Sequence, residues 1–269
     1  MKHARPIRSY LFVPANRPER IAKAQQAGAG AVIVDLEDAV APDDKASARA
    51  VLAGQLTIER QVLIRINGAD TPWFGDDLKL CANPGVAGVV VPKAERPEVL
   101  AEVTRVIGIG KTIIPIVETA LGFDKSRALA ASGHAQRLAF GSIDFQVDLR
   151  IDGEEEELLY FRSQLVLVSR LMGLAPPVDG VTVAIDDADR LSTETNRGRR
   201  LGFGAKLCIH PKQVPIVNAC FTPPPEAAAW AQRVVDAAKC SNGSAVAVDG
   251  KMVDVPVIRK AQEILDDMG

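Results

Sequence analysis

Three acids fall within four positions at the end of one apolar run: Ala31-Val-Ile-Val-Asp35 leads through Leu36 to Glu37 and Asp38. Carboxylates crowded in this way are costly to remove from water unless a cation or hydrogen bonds compensate them. Such a cluster suits metal binding or acid–base chemistry. Further along, Arg65 and Asn67, Lys93, Glu118, Asp144 and His210 each stand at or just beyond another apolar run. Glu118 follows Ile113-Ile-Pro-Ile-Val117, and Asp144 follows Leu138-Ala-Phe-Gly-Ser-Ile143. Two carboxylates from neighbouring strands, with coordination positions left over, suit Mg2+, which keeps waters and accepts substrate oxygens. Arg65 beside them can grip a substrate carboxylate through two parallel N–H bonds. A cation held there polarises a carbonyl as a Lewis acid, which points to carbon–carbon bond chemistry on a 2-oxo or 2-hydroxy acid.

The remaining polar residues read more plainly. Lys93 suits either a Schiff base or the binding of a phosphate or carboxylate. His210, just before Pro211, is expected to hold its loop by hydrogen bonding rather than to act as a base. Asp148, Asp186, Asp187 and Asp189 read as loop or capping acids, and His3 and His134 carry no signal. Any single one of these charges can be a strand-end ion pair; their joint placement at one rim is what carries the argument.

The elements that must position these residues follow from the hydrophobic pattern. An unbroken Ala/Val/Ile run between glycines reads as a strand buried on both faces of a parallel sheet. Such runs are expected at 9–13, 31–35, 61–66, 88–91, 113–117, 137–140, 181–185 and 206–209. Helices are expected at 18–29, 45–55, 97–107 and 154–172, the last acid-rich at its start as the helix dipole favours. Strands alternating with helices over about 210 residues predict an α/β fold, a (β/α)8 TIM barrel, whose strand C-termini form the active-site face. No GxGxxG follows a strand, which argues against a dinucleotide-binding sheet.

The pattern divides the chain into a barrel over 1–220 and a C-terminal extension over 221–269. Phe221-Thr-Pro-Pro-Pro225 reads as a stiff linker, followed by a helix over 226–239 and a turn at 241–244. Residues 245–248 and 251–253 read as a hairpin with a type I′ turn at Asp249-Gly250, and a last helix runs over 256–267. A complete barrel does not need this helix–hairpin–helix. It is therefore either a lid or subunit-contact arm, or simply a solvated tail.

Composition narrows the class. A net charge of −2 gives no general case for nucleic acid or an anionic membrane surface, and 4% aromatics are too few for a base-stacking platform. Cys81, Cys208, Cys220 and Cys240 share no CxxC spacing, which predicts reduced thiols rather than a zinc or redox centre. With no apolar signal core near the N-terminus and no long apolar run, the expected location is cytoplasmic.

Several of these segments carry a resemblance. Arg8-Ser-Tyr-Leu-Phe-Val-Pro-Ala-Asn-Arg-Pro-Glu-Arg20, Asp35-Leu-Glu-Asp-Ala-Val40, Ile64-Arg-Ile-Asn67 and Val91-Pro-Lys93 are similar to the citrate lyase β-subunit-like (CitE-like) family of the HpcH/HpaI aldolase superfamily, close to malyl-CoA and citramalyl-CoA lyases. Val117-Glu-Thr119, Gly141-Ser-Ile-Asp-Phe145 and Ile209-His-Pro-Lys-Gln-Val214 continue the pattern in order, and it extends to about residue 265. The resemblance implies a Mg2+-binding barrel, usually a homotrimer or a dimer of trimers. It implies Glu118 and Asp144 as metal ligands, with Glu118 also at the substrate. Arg65 matches the residue that binds the substrate carboxylate, and Glu37 and Asp38 the acids that hold metal-bound waters. Phe12, Arg17 and Lys23 fall where relatives contact acyl-CoA or substrate. Asp249-Gly-Lys-Met-Val-Asp-Val-Pro256 resembles a lid motif whose aspartate, here Asp254, reaches a neighbouring subunit's active site. An N-cap for the last helix is the other reading of Asp254.

The activity implied is reversible Claisen-type cleavage of a 3-hydroxyacyl-CoA to acetyl-CoA and a 2-oxo acid. A citrate lyase β subunit acting on an acyl-carrier-protein thioester, a malyl-CoA thioesterase and a non-catalytic acyl-CoA-binding protein are the alternatives.

Overall fold

The computed structural model describes residues 6–240 and 246–268. Eight parallel strands close into a barrel in chain order: β1 Ser9–Pro14, β2 Ala31–Asp35, β3 Val62–Arg65, β4 Val86–Val91, β5 Thr112–Val117, β6 Ala139–Phe140, β7 Val178–Asp179 and β8 Ala205–Cys208. β8 pairs back onto β1, with Ser9 opposite Lys206, so no edge is left open. Helices fill the connections, which gives the (β/α)8 architecture expected from the sequence.

Strand alternation builds the barrel in two layers. Tyr10, Ile33, Leu63, Val90, Ile114, Ala139, Val178 and Leu207, with members from every strand, form one buried cluster. Their neighbours in sequence point the other way. Val117 and Phe140 pack with Phe145, Leu165 and Val168, which lie on the helices Ser142–Leu149 and Leu159–Leu171. Each fully buried side chain of this size contributes about 1.5–3 kcal/mol.

The seventh strand departs from expectation. The run 181–185 is β-branched and apolar, yet the strand is Val178–Asp179, and Gly180 breaks the ladder after it. Beyond it the Thr182 and Ala184 carbonyls accept from the Gln213 side chain, at 2.8 and 3.4 Å, in place of a neighbouring strand. Composition marked the segment as strand; a side-chain clamp holds it as loop. The helices Phe74–Cys81, Ala188–Leu201 and Gln213–Phe221 are likewise additional to those expected from the sequence.

Residues Ile7–Asn218 form one compact unit, and Ala219 onward belongs to a second. In the second, the helices Pro225–Cys240 and Val255–Asp266 share a small core of Ala231, Val234, Val235, Val253 and Ala261. The strands β9 Val246–Val248 and β10 Lys251–Val253 pair antiparallel. Asp249 and Gly250 turn between them at φ 51° and 75°, the two positive values that a type I′ turn requires. The turn expected at 241–244, and His3, lie outside the described residues. Among the described residues no helix is long and apolar enough to cross a membrane.

Candidate active site

All eight strands run the same way, so their C-terminal ends open on one mouth. Asp35 and Arg65 are the last residues of β2 and β3 and face each other in register. Glu37 and Asp38 follow in the turn after β2, Lys93 after β4 and Glu118 directly after β5. Asp144 arrives differently from the strand-end placement read in the sequence. Gly141 ends the strand, and Asp144 sits in the first turn of the helix Ser142–Leu149.

The turn carrying the acids is tied down from several sides. Asp35 Oδ1 accepts the Glu37 N–H at 2.9 Å and Oδ2 the Ala39 N–H at 3.1 Å. Lys45 Nζ donates to the carbonyls of Leu36 and Glu37, both at 2.8 Å. Asn67 Nδ2 donates to the Leu36 carbonyl at 3.1 Å, and to Asp77 Oδ2 at 2.6 Å. Asn67 is thus a scaffold residue rather than part of the cavity wall. Tied at Leu36, Glu37 and Ala39, the turn presents Glu37 and Asp38 in a fixed direction.

Arg65 is more committed than the sequence suggested. Its Nε donates to Asp35 Oδ1 at 2.7 Å and its Nη2 to Asp35 Oδ2 at 2.6 Å, so one face of the guanidinium fork is filled. Nη1 lies 3.0 Å from Glu37 Oε2 and 3.5 Å from Asp38 Oδ2. The first contact is ionic only, since Glu37 Oε2 is buried and accepts no hydrogen bond. Phe12 covers the guanidinium, its ring centroid 4.9 Å from Cζ. Burial alone would lower the Arg65 pKa, but the hydrogen bonds and charge of Asp35 outweigh it and raise it. Asp35 thus occupies the Nε–Nη2 edge of the guanidinium, which leaves the Nη1–Nη2 edge for the two-point grip on a substrate carboxylate expected of Arg65. Asp35 was visible in the sequence only as one of three crowded acids.

Glu118 is the most perturbed acid here. Burial, then the charge of Glu37, push it up to about 8, against which the Lys93 N–H and the Lys93 charge act. Asp144 raises it further. That N–H reaches Glu118 Oε1 at 2.6 Å, while Lys93 Nζ reaches Glu37 Oε1 at 2.7 Å. Burial would lower the Lys93 ammonium, but the Glu37 hydrogen bond and charge hold it above its ordinary value. That is the wrong direction for a Schiff-base amine, which must shed its proton. Gly141 gives Glu118 its space: a Cβ there would overlap the Glu118 carboxylate.

Beside these groups lies a cavity of about 470 Å³. Of the residues singled out in the sequence, Phe12, Asp35, Asp38, Arg65, Glu118 and Asp144 line it; Glu37 is buried behind the wall, and Arg17 and Lys23 do not line it and are exposed. Ile116, Phe140, Val181 and Leu207 supply an apolar wall. His210 Nδ1 accepts the Lys212 N–H at 3.2 Å and holds its own loop. Asp254 belongs to the second unit, where its carboxylate accepts the Val257 N–H at 3.1 Å and caps the last helix. Among the described residues no three His, Cys, Asp or Glu side chains form a ready metal cage. Glu118 and Asp144 instead offer the open, two-carboxylate kind of site that suits a hard cation with water or substrate completing the shell.

A closed parallel barrel with an acid- and arginine-lined mouth defines the class: a TIM-barrel protein with a polar cavity at the C-terminal ends of its strands. More narrowly, the chain belongs to the HpcH/HpaI aldolase/citrate lyase family, whose pattern matches residues 8–211. It is 36% identical over 276 residues to a citrate lyase subunit beta-like protein of Deinococcus radiodurans, covering 96% of each chain. A (3S)-malyl-CoA thioesterase of Cereibacter sphaeroides is 34% identical over 272 residues, covering 97% of this chain and 94% of its own. The crystal structure of the protein CitE from Mycobacterium tuberculosis, in complex with magnesium, acetoacetate and coenzyme A, superposes with a TM-score of 0.85 at 34% identity, covering 100% of both chains.

Proposed function

We propose that the protein is a Mg2+-dependent carbon–carbon lyase. It cleaves a 3-hydroxyacyl-CoA of the malyl-CoA or citramalyl-CoA type to acetyl-CoA and a 2-oxo acid, and the reaction is reversible. The observation that carries this reading is that Glu118, Asp144 and Arg65 line a single cavity. The magnesium, acetoacetate and coenzyme A bound by the M. tuberculosis relative support it.

The residues fit the ion. Glu118 is a carboxylate raised first by burial and then by Glu37 and Asp144, and Glu37 Oε2 is buried without a hydrogen bond, so the mouth is short of positive charge. Glu118 and Asp144 would hold Mg2+, which when bound would polarise the carbonyl of the 2-oxo acid. Arg65, fixed by Asp35, binds the carboxylate of that acid with its free N–H groups. Glu37 and Asp38 keep ordered water at the mouth, and Phe12 with the apolar wall shields the reacting carbons. The substrate hydroxyl passes its proton to the water held by Glu37 and Asp38 and becomes the carbonyl of the 2-oxo acid as the carbon–carbon bond breaks, and the electron pair of that bond passes to the thioester as an enolate. Asp254 delivers the proton that completes the acetyl methyl group, and in synthesis it removes the same proton. In this reading Asp254 comes from a neighbouring chain of a homotrimer or hexamer, and Arg17 and Lys23 meet the acyl-CoA.

The kinship with the C. sphaeroides thioesterase supports a second reading, hydrolysis of the thioester. One experiment separates the two. Malyl-CoA and citramalyl-CoA are incubated with Mg2+ and the products resolved. Acetyl-CoA with glyoxylate or pyruvate supports the lyase; free CoA with the intact hydroxy acid supports the thioesterase.

A further inference from the structure

Lys93 stands in a backbone conformation that its place in the chain does not otherwise explain. Its φ is 44°, in the left-handed region that disfavours any residue with a Cβ. The other non-glycine residues of positive φ among the described residues have ordinary local roles: Arg150 ends the helix Ser142–Leu149, and Asp249 turns the hairpin. Lys93 ends no helix. It lies in the loop between β4 and the helix Pro97–Ile107, beside the cavity but not on its wall.

The kink serves two acids at once. It turns the Lys93 N–H onto Glu118 Oε1 at 2.6 Å and leaves the side chain free to reach Glu37 Oε1 at 2.7 Å. The next N–H, that of Ala94, donates to the Ile116 carbonyl at 3.1 Å and anchors the kink to β5. One residue after β4 thus holds one acid beyond β2 and one beyond β5. Strain kept at such a point needs a compensating role, and the contacts supply one.

We infer that Lys93 is a positioning residue of the acid mouth, its strained main chain fixing Glu118 and its ammonium fixing Glu37. This rests on the lyase reading above. The two contacts can be separated, because substitution removes the ammonium and leaves the N–H. Without the ammonium the mouth is one positive charge poorer, so its attraction for a divalent cation is undiminished or stronger. Glu37, however, is released from its place. Binding of the ion and turnover should therefore part company.

The test compares the full-length wild type with Lys93→Met, Lys93→Ala and Lys93→Gly, using thermal melting, calorimetric Mg2+ titration and turnover. Lys93→Gly is expected to melt above Lys93→Ala, the reverse of the order at an unstrained position, because glycine accepts the left-handed region. Lys93→Met is expected to bind Mg2+ at least as tightly as wild type, while its kcat falls about 10- to 100-fold through misplacement of Glu37. Lys93→Ala melting above Lys93→Gly would overturn the inference. So would unchanged kcat in Lys93→Met, or Mg2+ affinity and kcat falling together with the melting temperature. A wild type that binds no Mg2+ would instead remove the lyase reading on which the inference stands.

Discussion

Asp35 and Arg65, the last residues of adjacent strands, are joined by two hydrogen bonds of 2.7 and 2.6 Å that fill one face of the guanidinium. The same carboxylate accepts the N–H groups of Glu37 and Ala39, so a single acid sets both the cation of the mouth and the turn bearing its other acids. The cation at the mouth is thereby fixed in place before any ligand arrives.

Removing that acid should therefore be expensive. Asp35→Ala leaves the buried Arg65 short of its principal counter-ion, and breaking such a pair costs about 3–5 kcal/mol. Glu37 remains beside Arg65, which places the expected loss at the lower end of that range. Urea unfolding measures it directly, and Asp35→Asn should show a smaller loss of stability together with a raised KM for the 2-oxo acid. Stability and KM both unchanged in Asp35→Asn would show that Arg65 is held by something else.

The raised acids predict a pH dependence of opposite sign to ordinary acid denaturation. Glu118 ionises near 4.5 in the unfolded chain but near 8 when folded, first because it is buried and then because of Glu37. Its contribution to metal-free stability is thus full below about pH 4.5 and is lost as pH rises through about 8. Glu37, also raised by burial, acts in the same direction. The unfolding free energy of metal-free protein, measured in urea, should fall between pH 5 and 8, by at most about 1.4 kcal/mol per pH unit for each group. Glu118→Gln should flatten this slope. A slope that survives in both Glu118→Gln and Glu37→Gln would place its origin elsewhere.

Asp254 has a structural contact that can mimic a catalytic one. It caps the last helix, and loss of such a cap costs about 1 kcal/mol whatever else the residue does. Asp254→Ser keeps a capping oxygen and removes the carboxyl. The expected result is a melting temperature near wild type with cleavage reduced at least about 100-fold. Full activity in Asp254→Ser would leave the residue only its cap.

Much of the barrel was legible in the sequence because buried parallel strands carry a strong signal. Ala31–Asp35 and the helix Pro97–Ile107 stand where the apolar runs and the proline placed them. Where the sequence misled, a long-range contact had the deciding role. The β-branched run at 181–185 is held as loop by Gln213, distant in sequence, and no local pattern reports that clamp. The same holds at the mouth. The clustering of Asp35, Glu37 and Asp38 was plain, but which acid takes Arg65 depends on register between β2 and β3. Lys93 was visible as a charge near the site, while its left-handed backbone depends on the bonds from Lys93 to Glu118 and from Ala94 to Ile116.

The central claim is that Glu118 and Asp144 share one divalent cation, and calorimetric titration of Mg2+ into metal-free protein tests it most directly. The account predicts one site per chain in the wild type. It also predicts that Asp144→Ala weakens binding at least about 100-fold and abolishes Mg2+-dependent cleavage, since even partners outside the ligand shell cost 10- to 100-fold when removed. Equal Mg2+ affinity in the wild type and in Asp144→Ala, or undiminished cleavage by the variant, would contradict it.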